Sequence, residues 1–227
     1  MKRHSKRYKE AAKIVDEDKV YPLKEAVALL KKMPAARFVQ SVDVALYLNI
    51  DTKDVTQNVR GTVVLPHGMG KVMRVLVFCK GEMEKEARSA GADFVGAQDI
   101  IDKISAGWLD FDVAVSSPDM MRDVSRLGKI LGPRGLMPSP KAGTVTKDIA
   151  RAVQEIKAGK VEFKADKQAG VHSSVGRISF DEDKIYENAS KFIDAILAAK
   201  PSAAKGEFIK SASISTTMGP GVRIWVN

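Results

Sequence analysis

Cysteine is nearly absent from this chain: one residue, Cys79, in 227. That excludes an internal disulfide and a thiolate-rich metal site, and it fits a reducing compartment. Within the apolar run Val72–Phe78 and Cys79 it reads as a small core residue. Histidine is almost as scarce, and His4, His67 and His172 show none of the spacings that hold a metal. Aromatic residues make up only 6%, so any nucleic acid is expected to be met through shape and backbone rather than by extended base stacking. No apolar stretch approaches bilayer length, and the start is charged, without a signal-peptide core. A soluble cytoplasmic protein is expected. Repeats and low-complexity tracts are missing too. Catalysis needs a constellation of acid, base or nucleophile, and none assembles. Carboxylates such as Asp16/Asp18 and Asp181/Asp183 stand where helix caps are expected. No enzyme, metal or cofactor is read from these residues.

What the chain has in excess is positive charge. Lys and Arg number 37 against 28 Asp and Glu, for a net +9 and an isoelectric point near 9.5. That balance suits a nucleic acid or an acidic surface. It is uneven: residues 1–13 carry Lys2, Arg3, Lys6, Arg7, Lys9 and Lys13 against Glu10. Such an arm is either a frayed, solvated terminus or a nucleic-acid contact.

Periodicity divides the chain. Tyr21–Met33 places Leu23, Ala26, Val27, Leu30 and Met33 on one helical face behind Pro22. Ser41–Ile50 switches to period two, with Val42, Val44, Leu46, Leu48 and Ile50 on one side: a half-buried strand. Gly61–Leu65 follows as a short strand. Val72–Cys79 is apolar on both faces except Arg74, then helix (82–90), strand (94–95), helix (99–106), strand (112–116), a helix opening at Pro118 and a helix over 147–156 alternate. That alternation predicts a parallel α/β unit. After Gly159 the one-sided pattern returns, with strands at 161–165, 171–175, 177–180, 208–216 and 222–226 and a helix over 181–199. The fold expected is an α/β domain, residues 68–159, inserted into a split two-layer α+β domain of residues 1–67 and 160–227. Pro66–Gly70 and Ala158-Gly159 are the crossings, with Gly68, Gly70 and Gly159 as candidate hinges.

Leu131–Thr144 is the densest local signal. Between Gly132 and Gly143 three Gly and three Pro fill half of twelve positions, while Lys129, Arg134, Lys141 and Lys147 meet no acid. A stiff basic loop of this kind is built to meet an anion, aided by the helix near Lys147, or else simply to steer the chain. Gly132-Pro-Arg-Gly-Leu-Met-Pro-Ser-Pro-Lys-Ala-Gly-Thr144 resembles the signature loop of the large-subunit ribosomal protein one family. The resemblance extends to Gln57–Thr62, Leu65–Lys71, Gly91–Gly96, Ile156–Gly159 and Thr216–Pro220, in order along almost the whole chain. Two places depart from the family pattern: Ser139 stands for a familiar Asn, and Arg37, Ser41 and Asp43 stand for Lys, Thr and Glu.

The resemblance implies a three-layer Rossmann-like inserted domain and an rRNA surface on the split domain. Carried over, that surface comprises Arg37, Phe38, Ser41, Asp43, Lys164, Lys167, His172, Ser211, Thr217, Met218 and Gly219. Arg134 and Lys141 become RNA contacts of the inserted domain. The implied partners are large-subunit rRNA, exit-site tRNA during its release from a mobile side stalk, and the protein's own operon mRNA as target of translational repression. Chemistry without the resemblance leaves Phe38 and Met218 open to a core reading and Thr216–Gly221 to a plain tight turn. It also leaves a rival from another class: a phosphoryl-handling enzyme using the Gly-rich segments Gly68–Lys71 and Gly132–Lys141. The first of these misses the spacing of a phosphate loop and precedes a strand rather than a helix.

Overall fold

The computed structural model describes residues 5–16, 18–52, 54–81, 83–204 and 206–226. Lys2, Arg3, His4 and Glu82 therefore lie outside the described residues. The chain divides into two compact units, Met1–Gly70 with Val161–Asn227, and Lys71–Lys160.

In the terminal unit, β1 (Ser41–Leu48), β7 (Gly170–Arg177), β8 (Ile209–Thr216) and β9 (Val222–Ile224) form one sheet in the order β7-β1-β8-β9, antiparallel throughout. Strict alternation in β1 buries Val42, Val44, Leu46 and Leu48, each worth about 1.5–3 kcal/mol when fully removed from water. Helices α2 (Leu23–Lys32) and α8 (Glu182–Ala198) cover that face. Ala26, Val27 and Leu30 point inward from the first, and Ile185, Ala189, Phe192, Ile193 and Ile196 from the second. A separate two-stranded sheet joins β2 (Arg60–Val64) to β6 (Lys160–Lys164) and shares the same core through Val63, Val161 and Phe163. The buried Asn188 of α8 accepts from His67 N (3.1 Å) and donates to the Gly68 and Val175 carbonyls (2.9 and 2.8 Å), pinning the first crossing.

The inserted unit holds a three-stranded parallel sheet, β4 (Phe94–Gly96), β3 (Val75–Phe78) and β5 (Val113–Ser116), in the order β4-β3-β5. Leu76 and Phe78 face a cluster with Ile100, Ile101 and Ile104 of α4 (Gln98–Ser105). Val75, Val77 and Cys79 face Ala87 of α3 (Met83–Ser89) and Ile149, Ala152, Val153 and Ile156 of α7 (Ile149–Lys157). Helices thus lie on both sides, as the two-sided apolar strand requires. Cys79 is fully buried, and burial pushes its thiol up to about 11.

Several expectations are corrected. The strand expected over 72–79 is confined to Val75–Phe78, and Val72 is 85% exposed. The neighbouring strands begin opposite Val75 and Leu76, so earlier residues have no ladder to join. Residues 178–180 are a turn rather than a strand, closed by Phe180 N to Arg177 O at 3.0 Å. The Phe180 ring fills space that a side chain at Gly70 or Gly176 would occupy. The helix opening at Pro118 is broken into short turns containing α5 (Met121–Val124) and α6 (Gly128–Leu131), with Ser125 Oγ bonded back to Met121 O at 2.6 Å. Within the basic arm, Lys6–Ala12 form α1, capped by Ser5 and with Ala11 buried, so that part is helical rather than frayed.

Candidate nucleic-acid interface

The outward face of the four-stranded sheet follows from the register. Asp43 stands opposite Ser174 and Ser215, Ala45 opposite His172 and Ser213, Tyr47 opposite Gly170 and Ser211, and Ser41 opposite Arg177. A bulge at Val42/Asp43 absorbs Val175. Beyond β8, Thr217 N donates to Ser41 O at 3.1 Å and extends the face by one row. Ser41, Asp43, His172, Ser211 and Thr217 therefore share one surface, running roughly 20 Å along β1 at the strand rise of about 3.3 Å.

At one end the hydrogen bonds have a direction. Thr217 Oγ1 accepts from Ser41 N (2.9 Å), and Ser41 Oγ donates to Asp43 Oδ2 (3.1 Å). With Ser41 Oγ donating to Asp43, the proton between Ser41 Oγ and Thr217 Oγ1, 2.9 Å apart, is assigned to Thr217, whose hydroxyl also lies 3.5 Å from Ser41 O. The chain Thr217→Ser41→Asp43 ends on a carboxylate with unused lone pairs. Such an end accepts from a 2′-hydroxyl or a base amine and repels phosphate. Beside it, Phe38 is 54% and Met218 51% exposed, so neither is a core residue. Met218 N donates to the side chain of the buried Gln40 at 3.0 Å, which fixes the turn. Thr216–Gly219 is a tight turn as well, with Gly219 N to Thr216 O at 3.0 Å. A Cβ on Gly219 would lie 2.4 Å from Thr216 Oγ1, so only Gly lets the chain press so close there. Arg37 is exposed on the approach, with no acidic partner among the described residues.

The other end is different. β6 and β7, though consecutive, do not pair with each other; each joins a different sheet, and residues 165–169 turn between them. Asp166 accepts from Gly170 N and Gln168 N (2.7 and 2.8 Å), which holds its carboxyl below the usual range, with His172 a smaller contributor. His172 Nε2 is 3.9 Å from Asp166 Oδ2. Lys164 and Lys167 are exposed on the wall of a concavity with Thr52, Asp54 and Gln57, and Thr52 Oγ1 donates to Lys167 O. Lys164 and Lys167 thus lie away from the Thr217–Ser41–Asp43 chain, whereas Arg37 precedes β1 and Arg177 stands opposite Ser41.

In the inserted unit Arg134 and Lys141 are exposed on the Gly/Pro loop, whose shape is fixed from within. Thr144 Oγ1 accepts from Ser139 N (2.8 Å), Gly135 and Gly143 adopt positive φ, and Leu136 and Met137 rest on the core. The helix expected near Lys147 starts at Ile149, and the Asp148 carboxylate already caps Arg151 N at 3.1 Å. That end offers no anion seat. The candidate hinge glycines Gly68, Gly70 and Gly159 have φ of 64°, 69° and 104°. Lys71, read as a phosphate ligand in the rival enzyme, is 2.7 Å from Asp112. His67 lies 2.5 Å from Glu187.

Residues 30–220 match the Ribosomal protein L1p/L10e family. The chain is also 53% identical over 224 residues to the large ribosomal subunit protein uL1 of Protochlamydia amoebophila (strain UWE25), covering 99% of this chain and 95% of that protein. The chain belongs to the L1p/L10e family. As an L1p/L10e protein it is a ribosomal, RNA-binding structural protein and not an enzyme, and the phosphoryl-handling alternative falls with that membership. Sequence reasoning missed part of the L1p/L10e sheet face: Ser174, Ser213, Ser215 and Arg223 stand in the same outward rows. A signal existed, since hydroxyls recur at 211, 213, 215 and 217 with the period of a strand.

Proposed function

We propose that this chain is a structural constituent of the large ribosomal subunit in the cytoplasm and binds large-subunit rRNA directly through the outward face of β7-β1-β8-β9. The observation that carries the reading is the acceptor chain Thr217→Ser41→Asp43 beside exposed Phe38 and Met218. It supplies groups that act only at contact distance, while Arg37, Lys164 and Lys167 supply general attraction to phosphate. On this reading the inserted unit forms the mobile side stalk and assists release of deacylated tRNA from the exit site, with Arg134 and Lys141 as its contacts. Gly68 and Gly70, both at positive φ, are the proposed hinges of the first crossing. Gly159 serves the second crossing. The same sheet face, meeting an rRNA-like fold in the protein's own operon mRNA, would repress translation.

The test is the ratio of affinities for a large-subunit rRNA fragment and a scrambled duplex. Thr217→Val with Met218→Ala should cost about 1–3 kcal/mol on the cognate RNA for the hydrogen bond left unmade, and a similar amount for lost packing. Weak, salt-dependent binding to both RNAs should remain. An unchanged ratio in a well-folded double variant would remove both residues from the site.

A further inference from the structure

Trp225 is 64% exposed although its backbone is clamped. Its N–H donates to Tyr21 O at 3.0 Å, and Tyr21 N donates to Arg223 O at 3.0 Å. Ala212 and Ile224 stand opposite each other and are both buried, so Trp225, next along, faces outward like Ser211 and Tyr47. A groove there is lined by Val20, Ser211, Arg223, Trp225, Lys210 and Glu207. Lys210 Nζ sits 5.4 Å over the Tyr47 ring, and Arg223 has no acidic partner among the described residues. Exposed Val20 lines the same groove and exposed Tyr47 stands opposite Ser211, so the indole belongs to an apolar patch rather than standing alone, and such a patch marks a contact surface. Its neighbours indicate the kind of contact.

We infer that the β8–β9 edge of the terminal sheet holds an unpaired RNA nucleotide, with its base on Trp225 and its phosphate between Arg223 and Lys210. The inference rests on the reading that this sheet face meets RNA, which it extends past Ser211 to the edge strand. An indole face accepts any base, because every base has a π-face, while flanking cations neutralise the backbone. Glu207 is the one acid among the described residues that line the groove. With two cations against it, the balance favours phosphate over an acidic-poor protein surface. The low aromatic content excludes a long stack but is no obstacle to a single platform with Tyr47 beside it.

The test compares full chains carrying Trp225→Ala, Trp225→Phe or Met218→Ala. Each is titrated with a short single-stranded adenine oligoribonucleotide and with a folded large-subunit rRNA fragment, and thermal unfolding is recorded for each. Trp225→Ala should weaken oligonucleotide binding roughly ten-fold, by the same factor at low and high salt, with Trp225→Phe restoring most of it. Oligonucleotide affinity equal to wild type in Trp225→Ala would overturn the inference. So would concentration-dependent self-association of the wild type without RNA that Trp225→Ala abolishes, since the surface would then be a protein contact. Met218→Ala that leaves rRNA-fragment affinity intact, while Trp225→Ala still loses the oligonucleotide, would instead overturn the reading of the far end of the sheet.

Discussion

Asp43 carries a negative charge on a face proposed to meet a polyanion, and the sign of its contribution is measurable. By charge arithmetic, Asp43→Asn should strengthen binding to any RNA. If the carboxylate is instead the terminal acceptor of the Thr217→Ser41→Asp43 chain, Asp43→Asn replaces an ionised acceptor by a neutral amide, which can still take the Ser41 hydroxyl but offers RNA donors a weaker partner. Cognate affinity should then fall by about 1.5–3 kcal/mol, the range for a hydrogen bond to a charged group. Affinity for a scrambled duplex should rise slightly. Opposite movements of the two constants, measured by filter binding on one protein preparation, would confirm the role; a rise in both would reduce Asp43 to a spacer for Ser41. That Ser41 and Asp43 face outward is legible from the alternation in β1. That Thr217 closes on Ser41 is not, because the two stand 176 positions apart and meet only through strand pairing.

Elements were legible where one face is wet and obscure where burial is two-sided or the chain turns. β1, α2 and α8 announce themselves by period, whereas the register-breaking bulge beside Val175 and the turn over 178–180 leave no pattern behind. The order β7-β1-β8-β9 is equally silent, since neighbours in space come from distant segments. Short β3 illustrates how polar tethers, not propensity, set a boundary. Asp112 accepts from Lys71 Nζ and from Arg74 N and Nε, and Asp110 meets the Arg74 guanidinium as well. Lys71, ahead of the Arg74 bonds, holds the Asp112 carboxyl at about 2, below its ordinary 3.8. A carboxyl depressed in the folded state stabilises fully above its unfolded value and loses that contribution as pH falls through its folded one. Acid unfolding followed by circular dichroism should therefore show a component between pH of about 4 and about 2. Asp112→Asn should lack it and be less stable at neutral pH.

At the scale of the molecule, the two units divide the labour. Replacing Lys71–Lys160 with a short Gly linker should leave a folded terminal unit that still binds the rRNA fragment, because every proposed sheet contact lies outside that span. A folded product that binds nothing would place the site elsewhere. Binding by either form should weaken with salt, with log K falling by about 2 or more per decade if Arg37, Lys164 and Lys167 each neutralise a phosphate. Removing Lys167 should flatten that slope by about one unit. The division was visible as a change of period along the chain, while the placement of Lys164 and Lys167 away from the hydroxyl chain was not, because a turn rather than a ladder joins β6 to β7. The single cysteine falls in the inserted unit, buried just past the end of β3 with its thiol raised to about 11. A thiol-directed dye can reach it only after that sheet opens, and the terminal unit has no thiol to answer. The labelling rate is thus a built-in clock for the opening of one unit, readable while the other stays folded on its RNA.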